Sequence, residues 1–290
     1  MSFGDRLTLR VRQVGSATCV GLDPHLSRLP GELKQLPGHG IDREACAYAA
    51  GVFCRGVIEV VADKVAAVKP QVAFFEALGH HGVRELEKCV KAAKSAGLIV
   101  VLDAKRGDIG STAEAYAHGC LDDHGPMGAD AVTLSPYLGA ESLEPFLKRV
   151  DDGKGVFVLV RTSNPGSNAW QNTGEDAIAP KVAAWIAAEN ARRAAGPYGP
   201  IGAVIAANLP GESASWRSAM PRSWFLVPGF GAQGATAEDV RGHFNEGLGA
   251  LITSSRGVLF PKAGSDGSKW QAAVAERATQ FADAVRTVST

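Results

Sequence analysis

The chain has 290 residues, 46% of them hydrophobic and 21% charged, with 30 Lys and Arg balanced by 30 Asp and Glu. Zero net charge without a long Lys/Arg cluster argues against a nucleic-acid partner, and no apolar run approaches the ~20 residues that span a membrane. This length buries a large core and is common for one (β/α)8 barrel, so residues 1–290 read as one domain.

The first residues, Met1-Ser-Phe-Gly-Asp-Arg6, lack the basic and apolar regions of a secretory signal. Cys19, Cys46, Cys54, Cys89 and Cys120 are odd in number and show no Cys-x-x-Cys spacing, so they read as reduced thiols. Together these features predict a soluble, cytoplasmic protein. Short apolar runs then recur at residues 18–22, 65–68, 98–102, 131–134, 156–160, 201–206, 224–227 and 250–254. Helical patterns fill most of the gaps, among them 44–62, 73–96, 112–124, 175–195 and 237–246. Helix stops agree: Gly97 follows Lys94 and Ser95, and Gly196-Pro197 follows an Ala/Arg-rich run. Strands alternating with helices predict an α/β protein, a single (β/α)8 TIM barrel, although an open doubly wound sheet shares much of the pattern. Residues 29–40 and 163–174 are looser and follow predicted strands; the second is a candidate lid.

The run Leu98-Ile-Val-Val-Leu102 is continuous and apolar, as a strand buried on both faces requires. It leads into Asp103-Ala-Lys105-Arg-Gly-Asp108-Ile-Gly-Ser-Thr112. Asp103 and Lys105, two residues apart, point to one side of a continuing strand, at the end where α/β folds place ligands. The competing reading is a helix-start signal with a solvated ion pair. Other strand ends are polar too: Gly21-Leu22-Asp23-Pro24, Val68-Lys69-Pro70-Gln71, Arg161-Thr-Ser163-Asn-Pro-Gly166, Val227-Pro228-Gly229 and Thr253-Ser-Ser255-Arg256-Gly257. Singly each is an ordinary turn or surface charge; in a barrel they converge on one mouth. The segment Gly229-Phe-Gly-Ala-Gln233-Gly234 and Arg256 follow strands seven and eight, where such barrels hold phosphate. Glycines let backbone N–H groups approach an anion, Gln233 donates amide hydrogens, and Arg256 grips bidentately, so a phosphorylated substrate is expected. No glycine fingerprint follows the first strand, so a dinucleotide cofactor is unsupported.

On the Asp103-x-Lys105-x-x-Asp108 element combined with the downstream Gly-Ala-Gln-Gly, the chain resembles the orotidine 5′-phosphate decarboxylases, in particular their longer bacterial branch, from about Gly21 to Gly257. The resemblance implies cofactor-independent decarboxylation of orotidine 5′-monophosphate to UMP, with no metal. It implies that Asp23 and Lys69 hold the ribose, Asp103 faces the substrate carboxylate, and Lys105 delivers the proton to C6. Asp108, Ile109 and Thr112 would reach into a neighbouring subunit's site, which implies a homodimer. Ser163 would bond the pyrimidine, with Asn164 or Asn172 as competitors; Pro228, Gln233 and Arg256 would complete the substrate site. The same barrel group includes Mg2+-dependent sugar-phosphate decarboxylases and hexulose-phosphate synthases, which share Asp-x-Lys-x-x-Asp but take an acid from strand two, where this chain has Lys69. A catalytically inactive phosphate-binding barrel is the reading outside enzymes. His80-His81 have no Cys or carboxylate at metal-ligand spacing and are expected at the surface, and His118 and His124, in the helix after the signature, are expected at an interface or the surface.

Overall fold

The computed structural model describes residues 1–33, 42–193, 195–209, 211–231, 234–261 and 269–289. Eight parallel strands close into a barrel in chain order, with β1 bonded to both β2 and β8. They are β1 (Thr18–Leu22), β2 (Ala67–Pro70), β3 (Ile99–Arg106), β4 (Ala131–Leu134), β5 (Gly155–Arg161), β6 (Ile201–Ile205), β7 (Phe225–Pro228) and β8 (Ala250–Ser254). Closure excludes the doubly wound alternative. It also explains why the strands are apolar without alternation: helices cover their outer face and packed side chains fill the inner one.

The helices are α1 (Phe3–Val14), α2 (Arg43–Val61), α3 (Val72–Glu76), α4 (Gly79–Ser95), α5 (Gly110–Leu121), α6 (Glu144–Val150), α7 (Ser167–Gln171), α8 (Ile178–Arg193), α9 (Ser213–Ala219), α10 (Ala237–Val240), α11 (Arg256–Leu259) and α12 (Trp270–Ser289). The single helix expected over 73–96 is two, separated where Gly79 adopts φ +68. The pattern over 237–246 holds only one helical turn before a 3-10 turn at Arg241–His243. Helix α5 stops at Leu121, which leaves His124 beyond it. Among the described residues no helix is long and apolar enough to cross a membrane.

Helix α1 decides which end of the barrel is open. Ser2 caps it by accepting from the Asp5 N–H, and Phe3, Leu7 and Val11, four apart, form one buried stripe. That stripe packs with Cys19, Ala67, Val101, Phe157, Trp224 and Leu226 inside the barrel. The Phe3 ring meets Phe157 edge-on at 5.8 Å, and a Cβ at Gly155 would lie 2.3 Å from it, so that position must be glycine. The amino-terminal mouth is therefore plugged, leaving the carboxyl ends of the strands for chemistry.

Candidate active site

The end of β3 is not a plain strand. Its register against β4 shifts between Leu102 and Arg106, and Lys105 takes φ +46, a left-handed conformation that costs an L residue about 1–2 kcal/mol. Lys105 thus reaches Asp103 through a kink rather than through the strand alternation expected from the sequence. Its Nζ lies 2.6 Å from Asp103 Oδ1, while Lys69 Nζ, from the end of β2, lies 2.6 Å from Oδ2. Gln71 Nε2 donates to Oδ2 at 2.9 Å and the Thr133 hydroxyl to Oδ1 at 3.0 Å. Burial opposes the charge on Asp103, but Lys69, then Lys105, and the bonds from both outweigh it and hold the carboxyl below its ordinary range. Burial likewise opposes the charge on Lys69, and Asp103 followed by Asp23 reverses this, so its ammonium is retained more firmly than usual. The Lys105 side chain is 48% exposed against 8% for Lys69. Lys105 is therefore the more exposed cation of the pair.

A cavity of about 440 Å³, within the ~300–1,000 Å³ typical of small-molecule sites, is lined by Lys69, Asp103, Lys105, Thr133, Ser163, Gln171 and Pro228 among others. A second lobe of about 180 Å³ is lined by Asp23, Lys69, Pro228, Gly229, Phe230, Thr253, Ser255 and Arg256. The lobes share Lys69 and Pro228, so they form one elongated cleft across the mouth. Asp23 Oδ1 is buried in the second lobe without a hydrogen-bond partner, an acceptor left for a ligand hydroxyl. Gly21 lets the chain approach here, since a Cβ would meet the Ser255 hydroxyl at 2.0 Å. Gly229, with φ +111, gives the segment after β7 a turn that other residues resist. Gln233 lies outside the described residues.

Of the remaining residues singled out from the sequence, Asp108, Ile109 and Thr112 line neither lobe. Asp108 accepts from the Ile109 N–H at 2.8 Å, and Ile109 is 58% exposed beside an exposed Thr112 at the start of α5. Exposed Tyr137 and Trp170, in edge contact at 6.3 Å, add further apolar area to the surface. Asn164 lines the first lobe with Ser163, whereas Asn172 does not.

Thr133 and Gln171 had no signal in the sequence as site residues, and Gln71 stood only within the polar end of the second strand. Gln171 accepts from the Thr162 N–H at 2.9 Å and donates to its hydroxyl, which folds α7 back over the end of β5. Arg161, a polar strand end in the sequence, is instead buried, with its guanidinium on Glu212 and on the Ser167 hydroxyl at 2.7 Å. It fixes both ends of its reach: α7, which carries the candidate lid, and the residue that precedes α9. By contrast, a cavity near the ends of α5 and α6 has several of its lining charges paired with one another: Asp122 holds His118 and Arg149, and Asp123 holds Lys154.

The description "Orotidine 5'-phosphate decarboxylase / HUMPS family" belongs to the family model that matches residues 18–278. The orotidine 5′-phosphate decarboxylase of Rhodopirellula baltica is 45% identical over 94% of this chain and 95% of its own. A crystal structure from Streptomyces avermitilis bearing the same enzyme's name superposes with a TM-score of 0.83 at 37% identity, covering 99% of this chain and 96% of that one. The Leishmania donovani OMP decarboxylase gives 0.76 at 34% identity, covering 99% of both chains. With the matched residues running from the first strand into the last helix, the chain belongs to the orotidine 5′-phosphate decarboxylase family.

Proposed function

We propose that this protein decarboxylates orotidine 5′-monophosphate to UMP, closing pyrimidine nucleotide synthesis, with its own side chains and no cofactor. The observation that carries this reading is Asp103, an ionised carboxylate gripped by two ammonium groups at the neck of a cleft, in a chain of this family. Loss of CO2 breaks the C6–carboxylate bond and leaves the electron pair on C6, where no adjacent carbonyl spreads it. Lys105, the exposed cation of the pair, stabilises that charge and then transfers an Nζ proton to it. Asp103 pairs with the Lys105 ammonium and opposes the substrate carboxylate. Lys69 sets the Asp103 carboxylate and, with Asp23, takes the ribose hydroxyls. Ser163 bonds the pyrimidine in the first lobe, while Pro228 and Arg256 bound the second lobe, where the phosphate sits and Gln233 is expected to donate to it. Phosphate held far from C6 contributes binding energy for closing the lid and excluding water.

A fixed row of charges can do this only if nothing else is required, so the test is loss of the substrate's ultraviolet absorbance with and without EDTA. Turnover unaffected by chelation is expected. No turnover, or turnover abolished by EDTA, would redirect attention to sugar phosphates with Mg2+. Against that second reading stands Lys69, a buried ammonium where a metal-dependent relative needs an acid.

The reading extends to the assembly. Asp108, Ile109 and Thr112 sit outside the cleft of their own chain on an exposed, partly apolar surface, which suits residues that complete a neighbour's site in a cytoplasmic homodimer. Mixing inactive Lys105→Ala chains with inactive Asp108→Ala chains should then restore activity, because one of the two hybrid sites carries both residues. With subunit exchange verified, absence of rescue rules out a shared site.

A further inference from the structure

We infer that Thr133 is a positioning residue for the reacting pair: its hydroxyl shapes the kink that presents Lys105 and fixes the Asp103 carboxylate against it. The inference rests on the proposed roles of Asp103 and Lys105. Thr133 is on β4, 1% exposed, opposite the point where β3 leaves its register. There two successive amides of β3 turn toward one side-chain acceptor. The Thr133 hydroxyl oxygen takes both, from Ala104 N at 3.1 Å and Lys105 N at 2.9 Å. A hydroxyl has two acceptor lone pairs and one proton, so both lone pairs are spent and the proton has one direction left. That direction is Asp103 Oδ1, 3.0 Å away.

Two consequences follow from this fixed polarity. Thr133 can only donate to Asp103, which favours the carboxylate over the neutral acid. Asp103 also acquires two donors on each oxygen, Lys105 and Thr133 on Oδ1, Lys69 and Gln71 on Oδ2, so its plane cannot rotate. The hydroxyl that holds the Lys105 backbone in its left-handed conformation is therefore also the one that orients the carboxylate its ammonium contacts.

Thr133→Val keeps the shape and removes the hydroxyl, and Thr133→Ser keeps the hydroxyl. The expected result is a kcat about 10- to 100-fold lower for the Val variant, the effect of one hydrogen bond to a charged group. KM and UMP affinity should stay within about threefold, because the phosphate lobe is untouched, and the Ser variant should recover most of kcat. A purely structural threonine would lower thermal stability without this separation of kcat from KM. If the Val variant does not fold, Thr133→Cys, with its weak donor and acceptor of similar size, makes the same comparison against Ser. Wild-type kcat in the Val or Cys variant, or a Ser variant as slow as Val, overturns the inference. Activity surviving in Lys105→Ala, run alongside, would instead overturn the site reading beneath it.

Discussion

Lys105→Ala is expected to lose about 10⁴-fold or more in kcat while folding normally. A positioned proton donor is worth about 10²–10⁴-fold and a preorganised charge at the developing anion about another 10²–10³-fold. These two contributions overlap when one group provides both, so their product is an upper bound rather than the forecast. Folding should survive because the Lys105 side chain is 48% exposed, so truncation empties no core volume, and alanine keeps the same Cβ at the left-handed position. The informative comparison is with Lys69→Ala, where the deleted ammonium is buried and its loss leaves Asp103 with one cation fewer. That variant should lose stability as well as rate. A Lys105→Ala enzyme within tenfold of wild type would remove Lys105 from proton delivery, and a general loss of structure would leave its role to be read from Lys105→Gln. The check is single-turnover decay of substrate absorbance, with thermal melting on the same preparations.

Most of the barrel was visible in the chain because its strands are buried on both faces and so stand out as uninterrupted apolar runs. Thr18–Leu22, Ala131–Leu134 and Ala250–Ser254 coincide with their runs, and the others shift by no more than a few residues. What stayed hidden depends on partners distant in sequence. Helix α1 offers only Phe3, Leu7 and Val11 to a reader, and their role as the barrel's plug appears once Phe157 and Trp224 are known to face them. Site residues divide in the same way. Asp103, Lys105 and Lys69 announce themselves as charges after apolar strands. Thr133 lies within Ala131–Leu134, where a threonine is an ordinary strand former; only the irregular β3 across from it makes its hydroxyl matter. Gln71 reads as the residue after a turn-forming proline, and Arg161 as a solvated strand end, until Asp103 and Glu212 are found beside them. Sequence spacing also gave the right neighbours for Asp103 and Lys105 for an incomplete reason, since the kink at φ +46 was not in the pattern.

Asp103→Asn should destabilise the fold by about 3–5 kcal/mol, a fall in melting temperature of order 10 °C for a chain of this size. The ground is the asymmetry of buried ion pairs: forming one brings little net stability, but removing one partner strands the other charge. Here the stranded charge is Lys69, buried at 6% exposure, and Lys105 becomes a second cation close by with no anion between them. Replacing the buried pair together, as Lys69→Met with Asp103→Leu, should recover most of the lost stability while leaving the enzyme inactive. The pH dependence follows from the direction of each shift. Asp103 is held below its ordinary range, so its contribution is complete above about pH 4 and is lost as pH falls through the lowered folded value. The gap between wild type and Asp103→Asn should therefore be constant through neutral pH and narrow in acid, where the wild type also carries a neutral group. Lys69 is shifted upward, so the pair does not weaken on the alkaline side until beyond the ordinary lysine value of about 10.4. Melting curves of the three proteins from acid to neutral pH check this. Equal stability of wild type and Asp103→Asn at pH 7 would mean that Asp23, the other carboxylate acting on Lys69, is enough by itself to hold that ammonium in the neck of the cleft.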